Sequence, residues 1–176
     1  MKLYRIKAVL LHSWYHITHS VETWTDLLWN PLLDMLVYFL IAASFASRAT
    51  TAQADSIIIG NIFWNIVWIG QFSIAVGALW EIWSQSFSNL FVSSLTIREF
   101  LAGQMISGFL KSLFVFIMAS VLAFFMYRFS VFSFGPWLPV YFVELLMFSY
   151  AIGMLVLGMI FRFGVQIQSF SWLLIF

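Results

Sequence analysis

The sequence predicts an all-α fold: a polytopic helical membrane protein with an N-terminal amphipathic interfacial helix, four spans and the start of a fifth. Three observations predict it. Hydrophobic residues make up 63% of the 176 positions and charged residues only 9%, against roughly 25% charged in a soluble domain. The 25 positions 56–80, between Asp55 and Glu81, carry no charge, and about 20 such residues cross a bilayer as a helix. The apolar stretches run on without alternation, whereas barrel strands would show ~10-residue segments of strict period two. Fifteen charges cannot cover the surface of a water-soluble monomer of this size. The net charge of +1 gives no electrostatic basis for binding nucleic acid. The absence of cysteine excludes disulfide scaffolds, thiolate metal sites and cysteine nucleophiles.

Residues 1–30 form the first element. At 100° per residue, Leu3, Ile6, Leu10, Trp14, Ile17, Val21, Trp24 and Leu28 fall on one face, and Arg5, His12, His16, His19, Thr23 and Asp26 fall opposite. Such a helix lies in the membrane surface rather than crossing it. Its histidines and acids break the apolar core a signal peptide needs. Asn30-Pro31 is expected to end it and turn the chain into the first span.

Residues 31–176 form the transmembrane domain. Spans are expected at about 29–47, 56–80, 105–127 and 137–161, with Trp29, Trp80 and Trp137 at their interfaces. A fifth apolar run, 165–176, has twelve residues, too few to cross as a helix, so the chain reads as a fragment of a longer protein. With the N-terminus inside, the inner segments hold Lys2, Arg5, Lys7, Arg98 and Arg162, and the outer ones hold Arg48 and Arg128. Five against two places the N-terminus in the cytoplasm.

Several residues could carry function. His12 and His16 are four apart, and His19 lies within about 60° of both. That spacing can hold a metal, but no acidic HExxH pattern accompanies it, and the plainer reading is a polar face at the headgroup level shared with Arg5 and Thr23. Asp34, Lys111 and Glu144 are ionisable residues inside spans, each costing a few kcal/mol at mid-depth unless it faces protein or water. Asp34 and Lys111 pair if spans one and three touch, or Lys111 snorkels alone. Glu144 is a polar patch on a substrate path, a proton relay, or a hydrogen bond between helices. Span two aligns Asn61 with Asn65 and Trp64 with Trp68, followed by Gln71 and Phe72. This ladder can solvate an amphiphilic or sugar-bearing substrate, or serve as helix–helix glue. Gly153 and Gly158 mark a close helix contact. There is no phosphate-binding loop and no nucleophile–base pair, so no cofactor and no enzymatic activity are expected of this chain.

The inner loop, 81–104, is polar without being basic. It carries Phe87, Leu90, Phe91, Leu95 and Ile97, too apolar for a solvated connector. Thr96-Ile-Arg-Glu99 reads as a capping box that starts a helix at Thr96.

In order, the chain has an amphipathic N-terminal helix, Asn30-Pro31, a first span, a short outer loop, and a second span ending in Trp80-Glu-Ile-Trp83. Then comes Asn89-Leu-Phe-Val-Ser-Ser-Leu-Thr-Ile-Arg-Glu-Phe-Leu-Ala-Gly103. This arrangement, over essentially the whole chain, resembles the permease subunits of ABC-type-2 exporters. The resemblance implies six spans, a dimer of permeases in the cell membrane, and two cytoplasmic ATP-binding subunits that supply the energy. It makes the inner loop a coupling helix, with Phe91 and Leu95 as contacts to the ATPase, Arg98 as a salt-bridge donor, and Glu99 at the matching end as a cap. Two other classes stay open: a proton-coupled carrier using Glu144 and Asp34, and a metal or redox subunit using His12, His16 and His19. Lipid-linked glycans, drugs and lipids are all compatible with the aromatic-rich spans as substrates.

Overall fold

The computed structural model describes residues 2–46, 51–85, 92, 95–164 and 166. Among them every regular element is helical. Helix α1 is Leu3–His19 and α2 is Val21–Trp24. A π-helical stretch, Thr25–Trp29, leads into α3 (Asn30–Ala46). Then follow α4 (Thr51–Trp83), α5 (Ile97–Tyr127), a 3-10 segment at Val131–Trp137, and α6 (Leu138–Phe163). Four stretches are long and apolar enough to cross a membrane: Val21–Ser44, Gln53–Trp83, Ile97–Tyr127 and Gly135–Phe163. The chain is a helical polytopic membrane protein.

The break in the N-terminal region falls at Ser20, not at Asn30-Pro31. Ser20 is extended (φ −109°, ψ 116°), and its hydroxyl accepts from the Thr23 amide to cap α2. Asn30 is helical, and the chain passes through Pro31 without ending. The reason lies in the preceding π turns, where the Asn30 amide donates to the carbonyl of Thr25, five residues back. Proline has no amide to give, and its ring would strike the carbonyl four residues back. The wider turn moves that carbonyl aside. The surface helix is therefore Leu3–His19, and residues 21–29 belong to the first span.

Helix α4 is the axis of the bundle. In its most apolar window 72% of residues are buried, against 22–39% in the other three spans, as expected of a helix that is apolar all round. Helices α3, α5 and α6 pack around it. One core joins α3, α4 and α5 through Met35, Phe39, Ile58, Ile62, Val115 and Ala119. A second joins α4, α5 and α6 through Ile66, Ile74, Phe100, Phe142 and Leu146, and takes in Val9 of α1. Small residues let the backbones approach. A Cβ on Gly153 would lie 3.0 Å from the Gln71 carbonyl oxygen and 3.0 Å from Ile74 Cβ. Gly158 makes no such contact: a Cβ there would meet nothing within 4 Å. The Tyr150 hydroxyl donates to the Met105 carbonyl, tying α6 to α5. The outward faces of α3, α5 and α6 expose Leu40, Leu110, Ile117, Phe125, Met147 and Phe148, a surface suited to acyl chains.

Candidate functional site

Helix α1 lies against the N-terminal end of α5, and its polar face points at protein. Thr96 caps α5: its hydroxyl accepts from the Glu99 amide at 3.4 Å, and Glu99 Oε2 accepts from the Thr96 amide at 3.1 Å. The capping box read from the sequence is thus present. Glu99 does more than cap. Its Oε1 accepts from the Lys2 backbone amide at 2.8 Å, and its Oε2 accepts from Arg5 Nη1 at 3.3 Å. The carboxylate is buried and joins the end of the inner loop, α5 and the start of α1 in one knot. Four residues on, Val9 seats over Gly103, where a Cβ would come within 2.5 Å of Val9 Cγ1.

One turn further along α1, His12 Nδ1 lies 3.1 Å from Oε1 of Glu81, a buried residue near the end of α4. The hydrogen bond to Glu81 raises the His12 pKa above its usual value, against the opposing pull of desolvation. His16 Nδ1 lies 3.0 Å from Thr23 Oγ1 and its ring stands 5.5 Å from that of Trp80. Desolvation lowers its pKa. His19 stacks on Tyr15 at 3.9 Å on the exposed side of α1. The three histidines thus have three separate environments, and among the described residues no three His, Asp or Glu side chains converge on a metal position. The opposite face of α1, with Leu3 and Trp14, is exposed, as a lipid-facing side should be.

Between α1, the π turns, α4 and α5 lies a cavity of about 660 Å³, counting its open mouth. His12 and His16 roof it, Asp26 and Glu81 contribute carboxylates, and Gln104 and Lys111 reach it from α5. Phe72 and Trp80 form an aromatic wall. Glu81, Gln104, Thr23 and Trp80 were not singled out as site residues from the sequence. The signal was Gln104 and Lys111, seven apart and so on one face of an otherwise apolar helix.

A second polar cluster lies between α3 and α4. Asp34 Oδ2 accepts from Asn61 Nδ2 at 2.7 Å and from Asn65 Nδ2 at 3.5 Å, and Asn65 also donates to the Asn61 carbonyl at 3.0 Å. Asp34 therefore pairs with the asparagines, and among the described residues it makes no ion pair with Lys111. Asn61, Asn65 and Gln71 are buried within the bundle, Trp64 is exposed, and Trp68 is half-buried with its ring 6.0 Å from Phe72. Glu144, read from the sequence as a substrate-path patch, a proton relay or an interhelical hydrogen bond, is exposed among Tyr141, Val143, Met147 and Phe148 on the outer side of α6. Of the expected coupling residues, Phe91 falls outside the described residues, as do Phe87 and Leu90. Leu95 is half-buried against the second core. Arg98 is exposed, and Glu99 is buried in the knot with α1.

Comparison with protein-family models, with curated proteins and with solved structures returned no match.

Proposed function

We propose that the chain is the membrane-spanning permease subunit of an ATP-driven exporter, seated in the cell membrane with its N-terminus cytoplasmic. It forms the translocation path with a second permease copy, and a cytoplasmic ATP-binding subunit docks on the inner loop. The observation that carries this reading is the Glu99 knot. A force applied to the loop end at Leu95–Arg98 passes through the Thr96 cap into α5 and, through Lys2 and Arg5, into α1. A connector with no mechanical task has no need of such a junction. Arg98 projects from it into solvent, free to meet an acidic partner surface, and Leu95 anchors the loop end to the bundle core.

The test is co-purification of the permease from membranes with its cognate ATP-binding subunit. Phe91→Asp with Arg98→Glu should abolish assembly while the permease stays folded. Glu99→Gln should keep the helix cap but weaken the tie to Arg5, leaving assembly intact and hydrolysis no longer stimulated by substrate. Unchanged assembly in the double variant would overturn the docking role.

A further inference from the structure

One group in the cavity under α1 has no partner of its own. Lys111 makes no hydrogen bond or ion pair among the described residues, although it lies within a span. An ammonium there needs a counter-charge. Gln104 is 4% exposed and lies seven residues before Lys111, on the same face of α5. Both line the cavity. The acids that line it do not meet Lys111: Glu81 is engaged by His12, and Asp26 accepts from Asn30 Nδ2 at 3.2 Å.

The two walls differ in sign. A simple anion would satisfy Lys111 and be repelled by Glu81 and Asp26, and a simple cation would meet the reverse. A group carrying both charges satisfies both walls, and the Trp80 and Phe72 rings suit its cationic end. Depth fits as well. Helix α5 has 31 residues, about 46 Å at 1.5 Å each, some 16 Å more than a ~30 Å hydrocarbon core. Lys111 lies about 21 Å along it from Ile97, which brings it near headgroup level if the surplus length is at the inner end.

We propose that this cavity holds a phosphate-and-ammonium group, the headgroup of a zwitterionic phospholipid or a free phosphoamine of the same chemistry. The phosphate sits on Lys111 and Gln104, and the ammonium on the side of Asp26 and Glu81. The proposal goes beyond the exporter reading and does not need the ATPase, so failure of docking would leave it standing.

The test is native mass spectrometry of the detergent-purified chain with three probes: short-chain phosphatidylethanolamine, short-chain phosphatidylglycerol and dodecylamine. The first should be retained at least tenfold better than the other two. Lys111→Met should bring it down to the phosphatidylglycerol level, and Glu81→Gln should narrow the preference between the two lipids. Gln104→Leu should weaken binding severalfold and serves as the readout if Lys111→Met does not fold. Displacement by millimolar O-phosphoethanolamine assigns the site to the free headgroup, and its failure assigns it to the lipid. Equal retention of both lipids, or wild-type binding by folded Lys111→Met and Gln104→Leu, would overturn the proposal.

Discussion

At the scale of single residues, polar side chains do the positioning. His12 holds α1 to Glu81 with a raised pKa, so its contribution is fully present below its unperturbed value of 6.5 and is lost as pH rises through the higher folded value. His16 has a lowered pKa. It favours the docked state above 6.5 and opposes it as pH falls through its folded value. Docking of α1 should therefore weaken as pH rises from 6.5 through the raised folded value of His12, and weaken again in acid through His16. Spin-label mobility at Leu11 across that range checks this. His12→Asn should remove the upper transition and leave the lower one, and an unchanged upper transition would refute the assignment. Asp34 offers a second case. Asn61→Leu removes its 2.7 Å donor and should destabilise the bundle by about 1–3 kcal/mol, read as a lower midpoint of unfolding in detergent. Asn61→Gln should recover part of the loss.

At the scale of elements, glycine contacts decide how closely helices seat. Gly103→Ala puts a methyl into Val9 and should cost about 1–3 kcal/mol by overpacking. Gly158→Ala meets open space and should be neutral or stabilising by up to about 1 kcal/mol, since alanine is the better helix former. Thermal unfolding of the two variants side by side distinguishes a packed contact from a merely helical glycine. Sequence alone treated Gly153 and Gly158 alike, because five residues' separation does not say which side of α6 a neighbour occupies. The spans were legible from uninterrupted apolar length, and the start of α5 from its capping box. The corner at Ser20 was not, because Asn30-Pro31 is the stronger local breaker and the π turns that accommodate it leave no compositional mark. The cavity was half-legible. His12, His16 and Lys111 stood out as polar residues in apolar surroundings, but pairing His12 with Glu81 requires knowing that α1 folds back across the end of α4, 69 residues away.

At the scale of the whole molecule, burial is concentrated on one helix and the perimeter is left apolar. Glu144 sits on that perimeter. It is exposed and makes no hydrogen bond or ion pair among the described residues, so Glu144→Leu should leave the unfolding midpoint in detergent unchanged or raise it. A lower midpoint would mean that the carboxylate has a partner inside the bundle. If Glu144 serves a translocation path shared with a second copy, the same variant should lose transport while keeping its fold. The carrier alternative gains nothing from the arrangement: Asp34 is held by Asn61 and Asn65 between α3 and α4, while Glu144 faces outward on α6.

The hydrogen bond between Lys2 and Glu99 closes a span of 97 residues, and this bears on how the protein is made. Synthesis at roughly 5–20 residues per second delivers α1 first and its anchor about 5–20 s later. Throughout that wait Arg5 and Val9 lack their eventual neighbours on α5, and His12 lacks Glu81 until 69 residues after its own synthesis. What can keep the helix at the bilayer in the meantime is its own exposed side, Leu3, Leu11, Trp14 and Tyr15. The residues that finally face lipid would thus act first as a mooring during biogenesis, and weakening them should lower the yield of assembled protein more than the stability of what has already assembled.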